Sequence, residues 1–203
     1  MEIKQTDHAV LAPSSPAWIR ADDEGLMKRL RAYYAKQVGT IVHETAEIYI
    51  SSGEKIKKSE AKSVLKFVQL QNKIPKKVIN VDQYVDAFVH HVNDAVSFGM
   101  RPEVVLYFSE NCFGHADASV YDQKNNVLRI HDLKTGVTPA SMEQLEIYAA
   151  LWEFQNPQFK RPKIELRIYQ GSEVNVLKPD QDTIDIIKNQ IVHASGFIDF
   201  LRE

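Results

Sequence analysis

Apolar and polar positions along this chain follow two different periods, and the points where one gives way to the other mark its elements. Between residues 27 and 50 apolar side chains recur every three or four positions, the spacing of a helix with one buried stripe. The same spacing returns over 81–98, where Tyr84, Val85, Phe88, Val92 and Val96 share a stripe. Residues 103–108, 114–121 and 127–134 are instead rich in β-branched and aromatic side chains and read as strands. Asp122, Gln123, Lys124, Asn125 and Asn126 form a turn cluster between the last two, which therefore read as a hairpin. Pro139 marks a loop, and Ser141 is placed to cap a helix over 142–154 whose Leu145, Ala149 and Trp152 face the core. A strand over 163–170 and an amphipathic helix over 184–201 complete the pattern. The order helix, three strands, helix, strand predicts a mixed α/β (α+β) fold, with a central mixed sheet of about four strands flanked by helices. One domain is expected over 1–203: a lead-in at 1–26, a core at about 27–170, and a closing helix at 180–203.

If the hairpin loop is Gln123 to Asn126, Asp122 faces Val127, and the same antiparallel register sets Asp117 opposite Asp132. Lys134 falls on the face of Asp132, with His115 opposite it, while Leu133 points to the other side and offers only its backbone carbonyl. Two carboxylates held side by side repel each other unless a cation lies between them. Oxygen ligands of this kind suit Mg²⁺ or Mn²⁺. Lys134 is then placed to orient a water and to offset charge developing on a phosphate. The bland alternative is a solvated hairpin face carrying an incidental ion pair, and a one-residue slip of register would undo the opposition.

Two further groups adjoin this arrangement. Gln144 and Tyr148 lie four apart on the 142–154 helix and share a face, suited to holding a phosphate or a base. The plainer reading makes Tyr148 a half-buried core tyrosine. Gly39, His43 and Glu47 are each four apart on the first helix. A lone helical histidine is usually a surface or core residue, but beside a site short of ligands His43 is a reasonable third ligand, with Glu47 as an outer one.

The segments GTIVHETAE at 39–47, GHAD at 114–117, HDLKTG at 131–136 and QLEIY at 144–148 resemble, in order and spacing, the motifs of the RecB-like branch of the PD-(D/E)XK nucleases. The likeness extends to phage-encoded members, whose short Ser-Ser-x-x-x-Trp lead-in the stretch LAPSSPAWIR is similar to. It implies a restriction-endonuclease-like core in which His43, Asp117, Asp132 and the Leu133 carbonyl bind Mg²⁺ or Mn²⁺, with Lys134 as the catalytic lysine. Glu47, Gln144 and Tyr148 would support them, contacting water, a second metal position or DNA. Ala116 stands where the superfamily's proline would be, and His115 where a small or hydroxylated residue is more usual. With Cys112 the one cysteine, the four-cysteine iron–sulfur cluster of some RecB-like exonucleases is excluded.

Composition sets the outer limits. At 44% apolar and 26% charged over 203 residues, the chain suits one globular domain with a real core. No apolar run reaches membrane-spanning length, the start MEIKQTDH has no signal-peptide apolar region, and a single cysteine gives no disulfide framework, so a cytoplasmic protein without a membrane partner is expected. The net charge of −2 lends no support to DNA binding, yet residues 55–77 hold eight lysines against one acid. Lys55, Lys57, Lys58, Lys62 and Lys66 are the candidates for tracking a phosphate backbone, with a solvated helical face as the alternative. There is no phosphate-binding Gly-x-x-x-x-Gly-Lys loop, so any helicase must be a separate partner. The expected function is a metal-dependent deoxyribonuclease, an exonuclease on linear DNA in phage recombination or DNA processing. A single-strand annealing protein is a compatible partner, and homo-oligomers are compatible with processive digestion. A structure-specific endonuclease shares the same site, and a catalytically silent nucleic-acid-binding module shares the same fold.

Overall fold

In the computed structural model, which describes residues 9–202, helix α1 (Asp23–Ser52) begins where the Asp22 carboxylate accepts the Gly25 N–H at 2.8 Å. It ends at Gly53, whose φ of 72° is the left-handed conformation a helix stop favours. The polar start at residues 1–8, which includes His8 of the lead-in, lies outside the described residues. The stretch from Val10 to Trp18 is held at both ends, because Arg29 of α1 donates to the Val10 carbonyl at 2.6 Å and Trp18 donates to that of Ala12 at 3.1 Å.

The lysine-rich stretch carries a helix of its own. Helix α2 (Lys58–Gln71) forms there because Ala61, Leu65 and Gln69, spaced by four, make a narrow buried stripe hidden among the lysines. Gln69 satisfies its buried amide by donating to the Ile79 carbonyl at 2.8 Å. The expected helix over 81–98 splits into a 3₁₀ turn, Val81–Tyr84, and helix α3 (Val85–Phe98), which stops at Gly99 in the left-handed region.

Strands β1 (Arg101–Ser109), β2 (Cys112–Asp122) and β3 (Val127–Lys134) run antiparallel in sequence. Helix α4 (Glu143–Gln155) then crosses over to β4 (Lys163–Gln170), which pairs parallel with β3. A fifth strand, β5 (Glu173–Leu177), hairpins back antiparallel through Gly171 at φ 60° and completes a sheet ordered β1-β2-β3-β4-β5. The expectation of about four strands missed β5, a five-residue edge strand of which four residues are exposed. Helix α5 (Gln181–Arg202) closes the described chain.

The sheet is covered on both faces. Val38, Val42, Leu65, Phe88 and Val92 from α1, α2 and α3 pack with Leu133 and Tyr169, while Leu145, Leu151 and Ile184 from α4 and α5 pack with Leu128, Ile130, Leu166 and Ile168. Strand periodicity puts Ala116 and Ala118 on one face, yet Ala116 belongs to the α4 side and Ala118 to the α1–α3 side. Strand β2 therefore changes face across Asp117. Opposite, between the pairs Pro102↔Ala118 and Val104↔Ala116, Glu103 takes a φ of 48°. Local breaks of this kind re-aim side chains out of a regular ladder. Among the described residues no helix is long and apolar enough to cross a membrane.

Candidate active site

Four elements converge at this break. Gly39 lets α1 approach the end of β3 closely, since a Cβ there would lie 3.2 Å from the Thr135 hydroxyl. One turn further along α1, His43 reaches β2, with its Nδ1 3.2 Å from Asp117 Oδ1. The other Asp117 oxygen, Oδ2, accepts the Leu133 N–H at 2.6 Å. Hairpin pairing is regular from Asp122↔Val127 to Ala118↔His131 and stops there. Continued by one step it would set Asp117 against Asp132; instead Asp117 reaches across to the β3 backbone.

The electrostatics divide the two acids. Burial opposes ionisation of Asp117, but the His43 hydrogen bond, the His43 charge and the Leu133 N–H outweigh it and hold its carboxyl below the usual range. For Asp132 burial dominates and the Asp117 charge adds to it, so its pKa is pushed up to about 6 despite the neighbouring Lys134. Burial would lower the His43 pKa, yet Asp117, Asp132 and Glu103 together raise it.

Lys134 spans the site. Its ammonium donates to Asp132 Oδ1 at 3.1 Å and to Gln144 Oε1 at 2.8 Å, and Gln144 Nε2 in turn donates to the Tyr148 hydroxyl at 2.9 Å. Asp132 Oδ2 lies 3.0 Å from the same ammonium, but the direction is wrong for a hydrogen bond and this buried oxygen accepts none. Tyr148 packs flat enough on β2 that only glycine fits beneath it: a Cβ on Gly114 would come within 2.7 Å of the ring. On α4, Ser141 accepts the Glu143 N–H at 3.2 Å, although the helix starts one residue later than a Ser141 cap implies.

Glu103 was not singled out by the sequence pattern. Burial and the charges of Asp117 and Glu47 raise its pKa, which sets it beside the site together with Glu47. The β1–β2 register shifts by one residue between Tyr107 and Ser109, so the turn pair Ser109↔Cys112 alone would set Val104 against Asp117, and only the shifted register from Tyr107↔Phe113 brings Glu103 opposite it. His115 is exposed. His131, within the HDLKTG segment, is core: it packs with Tyr169, His91 and Phe98, and burial pushes its pKa well down.

The donors suit a divalent cation. Two carboxylates share one buried region, and burial together with the Asp117 charge raises the Asp132 pKa, a cost that a cation between them would relieve. Among the described residues no three His, Cys, Asp or Glu side chains are already drawn together as a cage. Lys134 and His43 are what currently hold Asp132 and Asp117. Of the lysines, Lys58 pairs with Asp86 at 2.6 Å, and Lys62 and Lys66 both pair with Asp82, at 3.2 and 3.3 Å. Lys55 and Lys57 are exposed just ahead of α2.

A family model with the description "Protein of unknown function (DUF2800)" matches residues 8–182. Neither curated proteins nor solved structures give a match to this chain.

Proposed function

This chain belongs to the DUF2800 family, whose description assigns no activity, and on the chemistry of the site we propose that it is a divalent-metal-dependent deoxyribonuclease with a restriction-endonuclease-like core. The observation that carries the reading is Asp132: a buried carboxylate close to Asp117, with the Lys134 ammonium 3.1 and 3.0 Å from its two oxygens.

His43, Asp117, Asp132 and the Leu133 carbonyl would hold Mg²⁺ or Mn²⁺, with Glu47 at the outer edge. When bound, the ion supplies Lewis-acid activation of the phosphodiester and of the attacking water. Lys134 leaves Asp132 to orient that water and to offset the charge gathering on the phosphate oxygens. Gln144, held by Tyr148, keeps the ammonium from swinging out of line. Water oxygen bonds to phosphorus as the bond to the 3′ oxygen breaks; the attacking water gives up one proton to solvent and the leaving oxygen takes one up, so the protons balance. A histidine ligand suits Mn²⁺, so activity in Mn²⁺ is expected to equal or exceed that in Mg²⁺. The proposed substrate is linear DNA, approached as an exonuclease, with any helicase or single-strand annealing protein acting as a separate partner.

End-labelled linear DNA and covalently closed circles, incubated with each metal, test the assignment. Linear DNA should be degraded and circles spared; cleavage of circles turns the reading to an endonuclease. Lys134→Ala and Asp132→Ala should each lower cleavage by about 10²-fold or more while DNA affinity stays within a few-fold. Cleavage that persists in excess chelator would end the metal role.

A further inference from the structure

A cleft of about 410 Å³ opens beside Lys134, and apart from that lysine none of the residues assigned above lines it. Its walls are the 3₁₀ turn at Gln83 and Tyr84, the loop after β3 at Gly136, and the β4–β5 turn from Gly171 to Asn175. The loop wall is built in place. Gln170 donates to the carbonyls of Gly136 and Thr138 at 2.6 and 2.7 Å and accepts the Ala140 N–H at 3.2 Å, so one side chain fixes three backbone groups. A Cβ added at Gly136 or Gly171 would meet nothing within 4 Å, so both backbones border open space.

The chemistry of the lining is selective. Apart from Lys134 and Glu173 it is uncharged: the amides of Gln83 and Asn175, the hydroxyls of Thr135 and Ser172, glycine backbone, and the apolar Val137 and Pro139, with the largely buried Tyr84 behind them. Neutral donors and acceptors beside small apolar groups suit a flat heterocycle with hydrogen-bonding edges. A single ammonium at the end suits one phosphate. The volume falls within the range of roughly 300–1,000 Å³ typical of small-ligand sites. We propose that this cleft is a nucleotide subsite, taking the base and sugar of the nucleotide whose phosphate lies at Lys134. The proposal rests on the nuclease reading for its biological sense, but the cleft can be tested apart from it.

Thymidine 5′-monophosphate is titrated into the ¹⁵N-labelled full chain in Mg²⁺ buffer, with inorganic phosphate as the control. Saturable shifts are expected at the Gly136, Gly171 and Asn175 amides with the nucleotide, and not with phosphate alone. Asn175 is exposed on an edge strand, so Asn175→Trp should fill the cleft without unfolding the protein. It should abolish those shifts and raise KM for DNA by about tenfold or more, with kcat little changed. Gln83→Leu, which removes an amide without filling space, should weaken the shifts in the same direction. Shifts absent in the wild type, or a KM unmoved in Asn175→Trp, overturn the subsite and leave the nuclease assignment intact. Nucleotide shifts in a protein without metal-dependent cleavage sustain the cleft and remove the nuclease reading instead.

Discussion

The Lys134 ammonium lies 3.1 Å from Oδ1 and 3.0 Å from Oδ2 of Asp132, so the acid carrying the most displaced carboxyl in the site faces the one lysine that reaches it. Because Asp132 is 3% exposed, its charge has little solvent to fall back on, and the pair defines what the site lacks.

A carboxyl with a folded pKa of about 6 against an ordinary 3.8 holds a proton that the unfolded chain releases. Metal-free stability should therefore fall as pH rises from about 4 to 6 and stay lower above that. Asp117, with its lowered pKa, works in the opposite sense, so the comparison must be with Asp132→Asn. That variant should lose the fall between pH 4 and 6 and melt higher than wild type at pH 8, by roughly 2–4 °C for each kcal/mol recovered. Mg²⁺ or Mn²⁺ should raise the wild-type melting temperature at pH 8 and leave Asp132→Asn unmoved. Calorimetry across pH, with and without metal, reads all three, and a metal response that survives in the variant would remove Asp132 from the ligands. At subsaturating metal, cleavage should decline as pH drops below about 6, because a proton then competes with the ion for Asp132.

Gly114→Ala sets a methyl 2.7 Å from the Tyr148 ring and must displace it. The chain from Tyr148 through Gln144 to Lys134 then loses its anchor. A cost of about 1–3 kcal/mol in stability is expected from the overpacking, with a larger fractional loss of cleavage. Tyr148→Phe, which removes the hydroxyl and keeps the ring, should lower cleavage with almost no change in melting. Equal activity in both variants and the wild type would show that the helix contributes packing alone.

Gln170→Ala frees the Gly136 and Thr138 carbonyls and the Ala140 N–H together. Amide exchange at Ala140 should speed up while the β3 and β4 cores keep their protection. Unchanged exchange at that amide would mean that the loop is held by something else.

The lysines divide by their partners. Lys62 and Lys66 are engaged by Asp82 and Lys58 by Asp86, whereas Lys55 and Lys57 carry no ion pair among the described residues. If DNA crosses this side, Lys55→Ala with Lys57→Ala should flatten the dependence of log affinity on log salt by about 0.9 per lost phosphate contact. Lys62→Ala with Lys66→Ala should flatten it less. Anisotropy titrations over a range of salt decide, and a slope identical in both double variants would take DNA away from the start of α2.

Much of the sheet was legible because its buried strands alternate or run apolar. The β4 span of 163–170 and the β3 span of 127–134 are read correctly to the residue. The hairpin register also followed from its turn residues as far as Ala118↔His131. Strand β5 was missed although Glu173, Val174, Asn175 and Val176 alternate, because five residues just after Gly171 are too short a run to separate a strand from a loop. Helix α2 is written in the helical period, since Ala61, Val64, Leu65 and Val68 recur at three and four, with the lysines around that stripe.

By itself, the sequence determined most of the elements and of the register and placed the candidate groups on their elements, because turn residues and periodicity act locally and a four-residue helical spacing puts Gly39, His43 and Glu47 on one face wherever the helix goes. Only the tertiary structure decided how those groups meet. The face change of β2 across Asp117 turns that carboxylate onto the Leu133 N–H, draws Glu103 in beside it, and leaves Asp132 to Lys134. Such a break arises from packing helices against both faces of one sheet, a condition set by contacts between residues far apart in the chain and therefore absent from any local pattern.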